Sequence, residues 1–468
     1  MGHRLIDWMA AYLEGIEERP VRAQVQPGDI LRQLPAAAPI AGESIETIFG
    51  DFEQLIMPGM TQWQSPRFFA YFPASTSYPS LLAEMLTATL GAQCMVWETS
   101  PAAAELEQRM MEWLGALIGI PPDWEGVIQS TASDATLVAL LTARERATGY
   151  DINRRGYDGE RYRVYCSEQA HSSVEKGVKI AGIGQENCVK IAVDDAYAMQ
   201  PAALRAAIEA DLAAGLRPLC IVAALGTTSS TAIDPLAELA TIAQTYGLWL
   251  HVDAAYAGSA LILPEYRGLM EGIALADSFV FNPHKWLFTH FDCSAYFVRD
   301  RAALVRTFEI LPEYLKTRAG RQVNDYRDWG IPLGRRFRAL KLWFVLRSFG
   351  VAGLQEKLRH HMDLARDLAR QIDEHPAFER MAPVPFNLIC FRCHPPGQDD
   401  PAYLDQLNEE IIRQVNDSGS YYLTHTRLRG AYVLRLVPGH ERVEARHVTG
   451  AWEMICEVAD RLVQQALR

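Results

Sequence analysis

Between residues 80 and 300 the chain repeats one pattern seven times, a run of four to seven mostly apolar residues followed by a longer amphipathic stretch. The runs are GVIQ at 126–129, RVYCS at 163–167, CVKIAV at 188–193, LCIVAAL at 219–225, LWLHVD at 248–253, SFVFN at 278–282 and SAYFVR at 294–299. Strands that are apolar almost continuously, rather than at every second residue, must be covered on both faces, and helices between them supply the cover. The pattern therefore predicts an α/β fold built on a seven-stranded, mainly parallel sheet.

The flanks read differently. Residues 1–78 hold two helical patterns, at about 3–18 and 44–57, joined by a Pro- and Ala-rich connector from Arg19 to Gly42. They lack a core of their own, so an N-terminal helical segment that wraps onto another body, such as a second subunit, is expected. Residues 79–340 form the large domain and 341–468 a small C-terminal α+β domain. Residues 313–329, EYLKTRAGRQVNDYRDW, are poor in aliphatics and predict a long, mobile surface loop.

A formal charge of −12 disfavours nucleic acid and anionic membrane surfaces, which are bound by clustered Lys and Arg, and favours a small soluble substrate. The opening stretch carries Asp7, Glu14, Glu17 and Glu18, which a secretory or membrane-spanning segment would not tolerate, so a cytoplasmic location is expected. The eight cysteines then read as core thiols rather than disulfides. Cys390, Cys393 and His394 have no second ligand pair to complete a zinc site, and no metal is expected.

In open parallel sheets ligands sit beyond the carboxyl ends of the strands, so the residues just after each run are the informative ones. After 126–129, STASDATLVALL opens a helix at Ala132 and Ser133; the free amides there suit an anion, and equally an ordinary helix cap. After 248–253, Asp253 ends an apolar strand where a carboxylate needs a cationic partner, either a structural ion pair or a protonated pyridine nitrogen, with the small Ala255 leaving room for a flat ring. After 278–282, Lys285 lies three residues beyond a nearly uncharged run, where a desolvated amine can form imines, and Asn282 and His284 are near enough to hold phosphate oxygens. The 32 residues from Asp253 to Lys285 fit one βαβ unit. An anion cradle, a buried aspartate and a buried lysine in this order point to pyridoxal 5'-phosphate.

With WQSPRFFAYFP, SYPSLLAEML, SEQAHSSVEKG, LGTTSSTAID, HVDAAYAGSA, FNPHKWL, EYLK and IPLGRRFRALKLWFVLR, the chain resembles the group II pyridoxal-phosphate decarboxylases over nearly its whole length, most closely the aromatic-L-amino-acid decarboxylases. The resemblance implies the aspartate-aminotransferase-like fold (fold type I) and a homodimer with active sites at the interface. It implies Lys285 as the Schiff-base lysine, Asp253 as the partner of the ring nitrogen, His171 stacked on the pyridine and Thr228 near the ring hydroxyl. Ala132, Ser133, Asn282 and His284 match phosphate-binding positions, and Tyr314 matches the loop tyrosine that protonates the product. The substrate pocket would come from Trp63, Tyr71, Phe72 and Pro73, with Met95 offered by the other subunit; these aromatics could equally be core packing, although a flat apolar slot suits an indole or phenyl side chain. Gly334 sits where glycine accompanies indolic substrates in plant relatives, although animal relatives with glycine accept both kinds. No arginine clamp for a second carboxylate is visible, which weighs against glutamate as substrate. The expected reaction is decarboxylation of aromatic L-amino acids to arylalkylamines. The rivals are an aromatic aldehyde synthase, which decarboxylates with oxidative deamination, a desulfurase or carbon–carbon lyase, and a catalytically silent binding protein.

Overall fold

Each of the seven apolar runs forms a strand: β1 (Glu125–Gln129), β2 (Tyr162–Ser167), β3 (Cys188–Ile191), β4 (Arg217–Ala224), β5 (Trp249–Asp253), β6 (Ser278–Phe281) and β7 (Ser294–Val298). The structure is a computed structural model that describes residues 1–157, 159–310 and 323–466. The strands join in the order β1-β7-β6-β5-β4-β2-β3. Neighbours from β6 to β3 pair in parallel, and β7 runs antiparallel to both β6 and β1. The reversal at β7 follows from chain length. Only residues 282–293 connect β6 to β7, and they include no more than the single-turn helix Pro283–Trp286, too little to cross a sheet face. The mainly parallel α/β sheet is thus as the sequence predicts.

The chain divides into two compact units, residues 74–360 and residues 1–73 with 361–468. In the first, the helix Ala132–Ala147 lays Ala135, Val138, Ala139 and Leu140 in one buried cluster with the sheet residues Val127, Val164, Val222 and Val280. In the second, β8 (Phe378–Arg380), β9 (Ile389–Cys393), β10 (Thr424–Leu428) and β11 (Ala431–Leu436) form an antiparallel sheet in the order β10-β11-β9-β8. The helices Pro401–Asp417 and Ala445–Ala466 share a core with it. The N-terminal helix Gly2–Glu14 and the helix Ile45–Asp51, which continues as a wider coil to Ile56, belong to this same unit. The Val21 amide donates to the Gly419 carbonyl at 2.7 Å and the Phe69 amide to the Tyr422 carbonyl at 2.9 Å, so the two ends of the chain are laced together by backbone. Cys390 and Cys393 are buried on β9, and burial pushes both thiols up to about 12. No helix among the described residues is long and apolar enough to cross a membrane.

One expectation fails. The far end of the 313–329 stretch is not surface loop, because Tyr326, Arg327 and Trp329 are buried. The two aromatic rings pack 5.1 Å apart, and the Trp329 carbonyl accepts from Gln129 Nε2 at 2.9 Å, contacts that outweigh the polar composition. Tyr314 lies outside the described residues.

The edge strand β1 is fixed by a buried ion pair. Arg335 and Glu107 pair with each other, the Glu107 carboxylate accepts the Ile128 amide at 2.9 Å, and Arg335 donates to the Ile128 carbonyl at 3.1 Å. Removing one member leaves the other charged and buried, so Glu107→Ala should cost about 3–5 kcal/mol in chemical denaturation. The double variant Glu107→Ala/Arg335→Met should recover part of that loss; a single variant within about 1 kcal/mol of wild type would show that the pair does not pin the strand.

Candidate active site

Parallel pairing aligns strand ends, and the register sets what meets there. Asp253, the last residue of β5, lies opposite Val280 of β6 and Ala224 of β4. The chain after β6 turns at once through the short helix that carries His284 and Lys285, so the carboxylate and the amine emerge at neighbouring strand ends. Asp253 is buried, and one carboxylate oxygen accepts the Ala255 amide at 3.0 Å. The Ala255 carbonyl in turn accepts the Asn282 amide at 3.0 Å, which ties the two strand exits together. Lys285 is partly accessible, while burial of its amine lowers its pKa against the opposing pull of the Asp253 charge.

His171 follows β2 and caps the helix Ser172–Ile180, its Nδ1 accepting the Ser173 amide at 3.1 Å. That bond leaves the ring proton on Nε2. Although the residue is exposed, the protein packed around its ring lowers the imidazole pKa, with the Asp253 charge raising it and the Lys285 charge lowering it. His171, Asp253 and Lys285 are therefore within electrostatic reach of one another. At the exit of β4, the Thr227 hydroxyl is committed to the turn, accepting the Ala232 amide at 3.0 Å, whereas Thr228 is partly accessible.

The anion cradle is assembled from two strand ends. Thr131 caps the helix Ala132–Ala147 by accepting the Asp134 amide, and Ala132 and Ser133 stand in its first turn, where amides have no acceptor within the helix. Ser294 Oγ donates to Asn282 Oδ1 at 2.6 Å and reaches the Ser130 carbonyl at 3.4 Å, bringing the loop before the helix against the loop after β6. His284 Nδ1 accepts the Cys293 amide at 2.8 Å, and burial, reinforced by the Lys285 charge, drops its pKa to about 3. The ring is thus neutral with its proton on Nε2, a donor suited to an anion.

The sequence reading missed Ser294, Ser130 and Arg338. Arg338 grips both oxygens of Asp292 at 3.1 and 3.0 Å and donates to Ser130 Oγ at 3.2 Å. Nothing in the sequence marked Arg338 beyond its place as the last of three arginines in IPLGRRFRALK, at the start of the helix Arg338–Glu374. Met95 and Gly334 belong to the same unit; the Met95 carbonyl accepts the Arg327 amide at 2.9 Å, and a Cβ at Gly334 would meet Gln93 Nε2 at 3.2 Å. Trp63, Tyr71, Phe72 and Pro73 belong to the other unit, where Trp63 and Tyr71 stack at 5.9 Å with both rings exposed, and Phe72 is buried beneath Arg435.

A buried amine of lowered pKa, a carboxylate within its field, a neutral donor histidine and a helix N-terminus form a donor set that fits an aldehyde-bearing pyridine phosphate. Residues 27–394 match the family model of the pyridoxal-dependent decarboxylase conserved domain. The chain belongs to the pyridoxal-dependent decarboxylases. It is 44% identical over 474 residues to tryptophan decarboxylase 2 of Oryza sativa subsp. japonica, covering 99% of this chain and 94% of that one. It is equally 44% identical to the phenylacetaldehyde synthase of Arabidopsis thaliana, covering 99% of this chain and 96% of that one. The structure of Oryza sativa TDC with PLP and tryptamine superposes with a TM-score of 0.94 at 36% identity, covering 98% of this chain and 97% of that one. This pyridoxal-dependent decarboxylase has the type I fold, and its cofactor is pyridoxal 5'-phosphate.

If the His284 Nε2–H holds a phosphate oxygen, His284→Leu should weaken cofactor binding by about 1.5–3 kcal/mol, roughly tenfold to a hundredfold. Fluorescence titration of the cofactor-free protein measures this, and unchanged affinity would remove His284 from the cradle.

Proposed function

We propose that this decarboxylase acts on aromatic L-amino acids and releases the corresponding arylalkylamines and CO2, with Lys285, Asp253 and His171 as its central residues. The observation that carries the site assignment is the placement of the Lys285 amine, its pKa lowered by burial, in the field of Asp253 at the neighbouring strand end. The substrate class rests on relatives named for aromatic substrates, at 44% identity over nearly the whole chain.

When bound, pyridoxal phosphate supplies an electron sink for the pair of electrons left at Cα as the carboxylate departs. Lys285 would supply the amine that holds the cofactor through its aldehyde. Asp253, buried where a charge pair is little screened, would keep a proton on the ring nitrogen. His171, held by the Ser173 amide, would help hold the pyridine, with Thr228 and Ala255 as further cofactor-binding residues. Ala132, Ser133, Asn282 and His284 hold the phosphate. Tyr314 would donate its phenolic proton to Cα, and Trp63, Tyr71, Phe72, Pro73, Met95 and Gly334 are the residues proposed to select the substrate's aromatic side chain.

A homodimer is part of the same proposal. Leu82, Leu86 and Leu90 are exposed at four-residue spacing on the helix Tyr78–Leu90, a single apolar stripe that a second subunit would cover.

The second reading, an aldehyde synthase, is favoured by the equal identity to the Arabidopsis enzyme. Tyr314 decides between the two. A fast proton to Cα yields amine before oxygen can react. Wild type with tryptophan, phenylalanine, tyrosine and their hydroxylated forms should give amine and CO2 in equal amounts, in air and under nitrogen. Tyr314→Phe should keep releasing CO2 while, in air, its product shifts to aldehyde, ammonia and peroxide. Aldehyde from wild type would establish the second reading, and unchanged amine production by the variant would assign the proton to another group.

A further inference from the structure

The sheet ends at β3, and this edge carries reactive groups that decarboxylation does not use. Cys166 on β2 and Cys188, the first residue of β3, hold their sulfurs 3.8 Å apart. The register places Cys166 opposite Lys190 and Cys188 opposite Val164, so the thiols meet diagonally across two strands. Lys190 Nζ donates to Cys166 Sγ at 3.5 Å. Cys166 is fully buried, whereas Cys188 is partly accessible and, with Lys190, Glu175, Arg161 and Asn187, lines an open cavity of about 830 Å³.

Two thiols beside one ammonium do not share their protons evenly. The hydrogen bond from Cys166 lowers the Cys188 pKa, against burial and with help from the Lys190 charge. The same bond, together with burial, raises Cys166 well above an ordinary thiol. The accessible sulfur is thus the more readily deprotonated of the two, and the buried one holds its proton more firmly. The remaining thiols offer a contrast: burial pushes Cys293, Cys390 and the partly accessible Cys456 up to about 12. A thiolate, not a thiol, is the nucleophile in such chemistry.

We propose that Cys188 and Cys166 form a peroxide-responsive dithiol, with Cys188 as the attacking thiolate and Cys166 as the resolving thiol, which closes to a disulfide across the edge of the sheet. In the first step the Cys188 sulfur attacks one oxygen of hydrogen peroxide. The S–O bond forms, the O–O bond breaks, and the departing hydroxide takes a proton to leave as water, with Cys188 now a sulfenic acid. In the second step the Cys166 sulfur attacks Cys188 Sγ, the S–S bond forms, the S–O bond breaks, and the hydroxyl leaves as water with the Cys166 proton. The two thiols lose two electrons and one peroxide is reduced to two waters. Closing the sulfurs from 3.8 Å to about 2.05 Å requires backbone movement, and β3 can move because it has a neighbour on one side only. The pair is independent of the decarboxylase reading, since none of its groups belongs to the candidate site.

The test uses the full-length holoenzyme. Limiting hydrogen peroxide is added, the remaining thiols are blocked with iodoacetamide, and peptides are mapped with and without dithiothreitol. The expected result is one linked Cys166–Cys188 peptide, with two of the eight thiols lost and recovered on reduction. Without peroxide, Cys188 should alkylate at least about tenfold faster than Cys456. In Cys166→Ser, a sulfenic acid at Cys188 should be trapped by a 1,3-dicarbonyl reagent. A disulfide between other cysteines, or Cys188 reacting no faster than Cys456, would overturn the proposal. So would stable sulfenic acid at Cys188 in wild type without the link.

Discussion

The parallel pairing of β5 with β6 is the constraint on which the site depends. It sets Asp253 opposite Val280, so that a chain turning directly after β6 brings Lys285 to the same end of the sheet. Parallel strands need helical crossovers, crossovers cover both faces, and covered faces strip water from the strand exits. The depressed pKa of Lys285 is a consequence of the architecture rather than of a specialised pocket. The price is a set of polar groups held in a dry setting, and each of the best-defined ones is matched: Asp253 to the Ala255 amide, His284 to the Cys293 amide, and Asn282 to the Ser294 hydroxyl.

The same logic governs charge away from the candidate site. Asp277, buried beside β6, is held by Arg146 and Arg299 and accepts the Leu250 amide at 2.9 Å, while Glu107 and Arg335 clasp the backbone of Ile128. Buried pairs of this kind add little net stability but make their alternatives costly, which favours one register of the sheet over others. Neutral histidines serve the same end. His251, in the middle of β5, is bonded to Ser278 at 2.9 Å and lowered to about 4 by burial, so it joins the strands without adding charge beneath the site.

What could be read in the sequence was what depends on neighbours along the chain. Strands buried on both faces leave continuous apolar runs, and all seven were found within a few residues of their ends. The positions after them gave Asp253, Asn282, His284 and Lys285, because polar residues next to such runs stand out. What could not be read was pairing over distance. Ser294 with Asn282 and Ser130, Arg338 with Asp292, and Cys166 with Cys188 are ordinary residues until the sheet order is known. Composition misled at Tyr326–Trp329, where two aromatic rings and a buried arginine lie within a stretch that counts as polar. Thr227 and Thr228 show the finer limit: the sequence offers two threonines side by side, and only the fold shows that the Thr227 hydroxyl accepts the Ala232 amide.

The central claim is that Lys285, and no other amine, holds the cofactor. Borohydride reduction of the cofactor-loaded protein, followed by digestion and mass spectrometry, tests it directly by fixing a pyridoxyl group on whichever lysine carried it. The account predicts a single modified peptide containing Lys285, together with bleaching of the visible absorption. A pyridoxyl group on another lysine, with Lys285 recovered unmodified, would contradict it.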